Sequence, residues 1–251
     1  MVAIDLNADL GETVEGVPTA DDEAMFAVIS SASIACGGHA GDAASMREAV
    51  ARAARFGVAV GAHPSYPDPT HFGRRSMDLG AVELAAEVGR QLAALRDAGA
   101  DIRYVKPHGA LYNRIVTDAA QASAVADAVA ALSDALGRAV PVLGLGGAIW
   151  AATSARGLPF VTEAFLDRGY RSDGTLVPRD QPGALLADAG VVADRAILLA
   201  LEGVVTATDG RGIEVHAASL CLHGDSPGAV AMARAVRSAL DERRIEVRAP
   251  W

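Results

Sequence analysis

Six short stretches bring together carboxylates, imidazoles and amides that could do acid–base and electrostatic chemistry. Asp9 and Glu12 lie in Asn7-Ala8-Asp9-Leu10-Gly11-Glu12, and His39 and Asp42 in Cys36-Gly37-Gly38-His39-Ala40-Gly41-Asp42. His63 opens His63-Pro64-Ser65-Tyr66-Pro67-Asp68, and Lys106, His108 and Asn113 share Lys106-Pro107-His108-Gly109-Ala110-Leu111-Tyr112-Asn113. Glu163, Asp167, Arg168 and Tyr170 follow, and His223-Gly224-Asp225 closes the series. These side chains move protons and stabilise developing charge. Asp9, His39 and His63 would also supply one carboxylate and two imidazoles to a catalytic Zn²⁺ with a position left for water.

Each residue has a plainer reading beside the chemical one. Asp9 and Glu12 suit capping of a tight turn. His39 and Asp42, three apart in a Gly-rich turn, suit an anion, a metal or a structural hydrogen bond. Pro64 holds the backbone of His63 extended, a conformational role. Lys106-Pro107-His108 is the sharpest signal, because a cation beside an imidazole has little structural purpose. His71 and His216 fall outside the stretches and receive no role. Cys36 and Cys221 read as small buried residues rather than nucleophiles, and Tyr66, Tyr112 and Tyr170 as packing residues or pocket walls.

Lys106 is the single lysine among 22 basic residues. In a chain that otherwise uses arginine, a retained lysine marks a place for a compact charge on a flexible stem. Other chemistry is absent. The sequence has no phosphate loop ending in Lys-Ser or Lys-Thr, no Gly-x-Ser-x-Gly elbow and no His-Glu-x-x-His helix. Gly144-Leu145-Gly146-Gly147 is only a partial phosphate-binding turn.

Apolar runs alternating with Ala-rich stretches of helical period must position these residues. The pattern predicts strands at 2–6, 31–35, 58–61, 102–105, 140–145, 160–163 and 218–222. It predicts helices at 44–55, 81–97, 119–136, 148–154, 192–205 and 227–243. Gly99 caps the second helix, and Asp225 and Ser226 cap the last, ahead of Pro227. Seven strands with intervening helices imply one (β/α) barrel domain over 1–251, whose chemistry sits at the C-terminal strand ends. A doubly wound open sheet is the alternative.

Bulk properties narrow the partners. The net charge of -9 disfavours nucleic acid. No apolar run is long enough to span a membrane, and Met1–Asp5 lacks the start of a signal peptide. Two cysteines make no disulfide framework. The expectation is a soluble cytoplasmic protein.

Taken together and in order, the six stretches resemble the LamB/YcsF family over nearly the whole chain. The resemblance implies a distorted seven-stranded (β/α) barrel of the glycoside hydrolase/deacetylase type. It also implies the role of the A subunit in an ATP-dependent 5-oxoprolinase, which opens 5-oxo-L-proline to L-glutamate with ATP, Mg²⁺ and partner subunits B and C; a homo-oligomer is a further option. On this reading Asp9, Lys106, His108 and Glu163 are catalytic. Asn7, Glu12, His39, Asp42, His63, Asn113, Arg168, His223 and Asp225 bind substrate or nucleotide. The family usually has Asn at Ser33, Phe at Gly38, Pro at Ala43 and Gly at His71. Gly38 would remove an aromatic wall beside His39.

Three functions remain in view. The first is the ATP-coupled lactam hydrolase subunit, with Lys106 and secondarily Arg168 facing phosphoryl charge. The second is a metal-dependent deacetylase or amidohydrolase built on Asp9, His39 and His63. The third is a non-catalytic subunit that docks a carboxylated ligand on Arg74, Arg75 and Arg168.

Overall fold

The computed structural model describes residues 2–226 and 228–251. Met1 and Pro227, where the expected chain start and the expected start of the last helix fall, lie outside the described residues. Seven parallel strands form the barrel: β1 (Ala3–Leu10), β2 (Ser31–Ala35), β3 (Ala59–His63), β4 (Ile102–Val105), β5 (Val142–Gly144), β6 (Phe160–Phe165) and β7 (Ser219–Cys221). Their spatial order follows the chain, and pairing of β7 with β1 (Asp5 opposite Ser219, Asn7 opposite Cys221) closes the ring. That closure rules out the open sheet. A short β8 (Glu246–Val247) pairs with the first residues of β1, beside the point where β7 joins it.

Around the strands lie α1 (Asp22–Phe26), α2 (Ala43–Phe56), α3 (Ala81–Asp97), α4 (Gly109–Arg114), α5 (Ala119–Leu136), α6 (Ala148–Ser154), α7 (Ala189–Glu202) and α8 (Ala229–Glu242). Among the described residues, no helix is long and apolar enough to cross a membrane.

The period-two alternation of β1 explains how a polar interior is built. Ile4, Leu6, Ala8 and Leu10 join the apolar core, while Asp5, Asn7 and Asp9 point to the opposite face, into the barrel. At the lower end, Ser30, Ser31 and Ser219 donate hydroxyls to Asp5, whose carboxyl is pushed up by burial. Tyr104 fills the space above, sharing a hydrogen bond with Ser33, and the Trp251 ring stacks on it at 4.5 Å. Gly61 makes this possible: a Cβ there would lie 2.2 Å from the Tyr104 ring.

Several boundaries differ from expectation for local reasons. β1 extends to Leu10 because parallel pairing with β2 continues to Leu10 opposite Ile34. β5 shrinks to three residues, with Val105 its single partner on β4. α7 starts at a cap from Asp188 and stops at Gly203, so Val204–Thr206 pairs with Gly212–Glu214 instead of extending the helix. The hairpin of Thr13–Val14 with Val17–Pro18 and the short helix α4 are additions. The capping of α8 by Asp225 and Ser226 is corrected: Gly228 is the N-cap, no side chain caps the helix, and Ser226 contributes only its carbonyl to Ala229 N–H.

Candidate active site

Lys106 stands at the C-terminal end of β4 and is 1% exposed. Its Nζ reaches Asp9 Oδ1 at 2.8 Å, Asn7 Oδ1 at 3.0 Å, Glu163 Oε1 at 3.1 Å and Cys221 Sγ at 3.0 Å. These partners come from β1, β6 and β7, so the lysine ties three strands of the ring together. Burial opposes its charge, but Asp9 and Glu163 overcome that penalty and hold the ammonium well above its usual range. Burial would likewise raise Asp9, yet His63 and Lys106 hold its carboxyl well below the carboxylate range. Glu163 is fully engaged: Asn7 Nδ2 donates to Oε1 at 2.8 Å and the Tyr112 hydroxyl to Oε2 at 2.9 Å.

A second cluster adjoins the first through Asp9. His63 Nε2 lies 3.3 Å from Asp9 Oδ2 and 2.9 Å from His108 Nδ1, while His63 Nδ1 donates to the Lys106 carbonyl at 2.6 Å. His108 Nε2 donates to the Phe72 carbonyl at 3.0 Å. His39 stacks on His108 at 3.7 Å, with its Nε2 2.9 Å from Glu12 Oε1. Burial pushes His39 down to about 3; burial, then His39 and His63, also lowers His108. Burial and the charge of Asp9 push Glu12 up to about 8. The loop carrying Phe72 and Gly73 covers these rings, and Gly73 is needed there: at φ 62° a Cβ would lie 2.8 Å from that of His39.

His223 forms the third group. Its Nδ1 lies 3.0 Å from Asp167 Oδ1, and its ring packs on Phe165 at 5.4 Å. The Phe165 ring also lies 5.5 Å from the Lys106 ammonium. At the rim, Arg74 pairs with Asp225 and lies over Phe72.

Asn7, Asp9, Glu12, His39, His63, Lys106, His108, Glu163 and His223 are therefore brought together, with Asp225 at the edge. Three expected site residues are not. Asp42 is exposed and caps α2, accepting from Ala44 and Ser45 N–H in a capping box. Asn113 is exposed on α4 and donates to the Gly109 carbonyl. Arg168 is buried, and its guanidinium donates from Nε and Nη2 to the Ala184 and Val177 carbonyls, which ties it to the loop after β6.

Asp9 and Glu12, read as possible turn caps, instead face cationic and imidazole partners. The aromatic wall missing at Gly38 is provided by Phe72, edge-on to His39 at 5.2 Å. The place above Gly38 is taken by Gln91 and Ser65, whose polar atoms would be 2.5 Å from a Cβ.

Tyr112, Cys221 and Asp167 join the site without having been assigned to it. Cys221 was legible as the partner of Asn7 only once β1 and β7 were known to pair. Its thiol is held well above the usual range by burial, so it meets Lys106 as a neutral group. For a metal, the donors regroup. Glu12, His39, His63 and His108 offer atoms all within 4.8 Å of one another, whereas Asp9 gives one oxygen to Lys106.

The model of the LamB/YcsF family matches residues 4–250. Among curated proteins, the A subunit of 5-oxoprolinase from Streptomyces avermitilis is 53% identical over 251 residues, covering 98% of this chain and 99% of that protein. The protein of the same name from Mycobacterium avium is 50% identical over 254 residues, covering 99% of both. A crystal structure of a lactam utilization protein from Thermus thermophilus superposes with a TM-score of 0.91 at 42% identity, covering 98% of this chain and 99% of that one. A family 4 carbohydrate esterase from Streptomyces lividans, at 14% identity and a TM-score of 0.52 over 98% of this chain and 91% of that one, shares the fold. A match that runs from the first strand to the end of the chain, at this identity, settles the grouping: the chain belongs to the LamB/YcsF family.

Proposed function

We propose that the chain is a lactam-opening hydrolase subunit, the A subunit of 5-oxoprolinase, which works with subunits B and C on 5-oxo-L-proline in the cytoplasm. The observation that carries this reading is the buried Lys106, held between Asp9 and Glu163 at the mouth of the barrel. The names of the relatives and of the Thermus structure supply the substrate class.

A five-membered lactam is a stable amide with a poor leaving group, and coupling to ATP makes its opening favourable. Phosphorylation of the amide oxygen would make the ring carbon electrophilic, with Mg²⁺ on the nucleotide. The compact ammonium, whose protons face Asn7, Asp9 and Cys221, supplies a fixed positive charge beside the negative oxygen. Glu163 has both oxygens engaged, so its part is to hold Lys106. Asp9, between Lys106 and the His63–His108 pair, is the carboxylate that orients water. As water adds to the ring carbon and the C–N bond breaks, the new carboxyl keeps the phosphoryl group as an acyl phosphate, which a second water hydrolyses to glutamate and inorganic phosphate, and the departing nitrogen needs a proton. The His63–His108 pair next to Asp9 orients the group that delivers it.

The chain has no self-contained phosphate loop, so ATP is assigned to the assembled complex. Reconstitution tests this. The chain alone should give little ATP-dependent release of glutamate from 5-oxoproline, and adding subunits B and C should produce it. Absence of turnover in the folded, assembled complex would overturn the assignment.

A further inference from the structure

Two imidazole nitrogens face each other in a way that neutral rings cannot sustain. His63 Nδ1 lies 2.6 Å from the Lys106 carbonyl, and His108 Nε2 lies 3.0 Å from the Phe72 carbonyl. A carbonyl only accepts, so both of these nitrogens carry the ring proton. The remaining nitrogens, His63 Nε2 and His108 Nδ1, are then lone pairs pointed at each other across 2.9 Å. Carboxylate oxygens crowd the same point: Asp9 Oδ2 at 3.3 Å from His63 Nε2, and Glu12 Oε1 at 3.7 Å from His108 Nδ1. Around them the buried acids Asp9, Glu12 and Glu163 face one ammonium. The arrangement calls for a cation.

The spacing says which kind. A tetrahedral Zn²⁺-like ion with bonds of about 2.0–2.1 Å sets its ligand atoms about 3.3 Å apart, and the separations here straddle that value. The ring planes of His63 and His108 are 84° apart, so their lone pairs can converge on one ion. His39 cannot join them as a ligand. Its ring lies parallel to His108, 5° apart and stacked at 3.7 Å, and parallel offset planes do not meet at a point. Its Nε2 pairs instead with Glu12 Oε1, the position of a residue that orients a ligand. A second group of donors, Asp9, Cys221 and His223, has its cation already, because Asp9 and Cys221 both face the Lys106 ammonium.

We infer that His63 Nε2, His108 Nδ1 and the Glu12 carboxylate form a binding site for a divalent transition-metal ion of the Zn²⁺ type, oriented by His39. The site stands on these residues alone and does not depend on 5-oxoproline being the substrate.

Metal-stripped full-length chain is dialysed against Co²⁺ or Zn²⁺, the bound ion is counted, and the visible spectrum of the Co²⁺ form is recorded. Stoichiometric binding is expected, with the strong d–d absorption of low-coordinate Co²⁺. His63→Gln and His108→Gln should each abolish that absorption. His39→Gln should weaken binding roughly 10- to 100-fold, and His71→Gln and Cys221→Ser should leave it unchanged. Circular dichroism establishes that each variant is folded; if the histidine variants unfold, the wild-type count and spectrum decide. Failure of the folded wild-type chain to bind either ion would overturn the site and leave a shared proton between the rings. Binding that survives both histidine substitutions would overturn it equally. Neither result touches the lactam assignment, which reconstitution reads separately.

Discussion

Asp9 and Lys106 are 97 positions apart in the chain, yet Asp9 Oδ1 lies 2.8 Å from Lys106 Nζ inside the barrel. One carboxylate thus joins the lysine on its Oδ1 side to the histidine cluster on its Oδ2 side. Any change at this pair reaches both halves of the site.

Lys106→Arg keeps a positive charge but replaces a compact ammonium by a wide planar group in a space bounded by Asn7, Asp9, Glu163 and Cys221. In the reconstituted complex the turnover rate should fall roughly a hundred- to thousand-fold, the loss of about 2.7–4 kcal/mol of transition-state stabilisation. Wild-type turnover by a folded Arg variant would remove the lysine from the mechanism. Lys106→Ala leaves two buried carboxylates without their cation, and urea unfolding should show a loss of about 3–5 kcal/mol.

Glu12 makes the metal-free protein sensitive to pH. Its carboxyl rises from 4.5 to about 8 on folding, so its contribution to stability is fully present below pH 4.5 and is lost as pH rises through 8. His39 falls from 6.5 to about 3, so its contribution is present above pH 6.5 and is lost as pH falls through 3. The two slopes oppose each other below pH 6.5, so thermal melts of the stripped chain should show the midpoint falling between about pH 6.5 and 8, and Glu12→Gln should flatten that fall. A slope unchanged by the substitution would assign the effect to another group.

Tyr112 places its hydroxyl on Glu163 Oε2 at 2.9 Å and is almost fully buried. Tyr112→Phe leaves that oxygen without its donor, at a cost of about 1–3 kcal/mol in urea unfolding. Turnover should fall through a lower kcat with KM little changed, because Glu163 holds Lys106 and does not bind substrate. A pure KM effect would place Tyr112 against the substrate instead.

Asp42 separates a helix cap from a ligand-binding group. Asp42→Ala should cost about 0.5–2 kcal/mol of stability, and Asp42→Asn or Asp42→Ser much less. All three should keep full turnover in the complex at temperatures where they are folded. A folded, stable Asp42→Asn that loses turnover would return this residue to the site.

The barrel and its chemical rim were legible in the sequence because both rest on local patterns. Period-two alternation in residues 3–10, helical spacing in 81–97, 119–136 and 148–154, and polar residues after apolar runs all survive without knowledge of the partners. The matching motifs in their order likewise carried the family. Local pattern could not say which strand ends face each other. Parallel register sets Asn7 opposite Cys221 and Ser219 opposite Glu163, bringing Cys221 into the site and the carboxylates onto Lys106. Asp42, Asn113 and Arg168 looked equivalent to their neighbours as residue types. Only the folded backbone gave them other partners: two N–H groups at a helix start, a carbonyl one turn back along α4, and two carbonyls of a long loop. A hydrogen bond depends on a few tenths of an ångström and on direction. Residue spacing along a chain carries neither, so the pairing of His63 with His108 and the tilt of their rings were decided by tertiary structure alone.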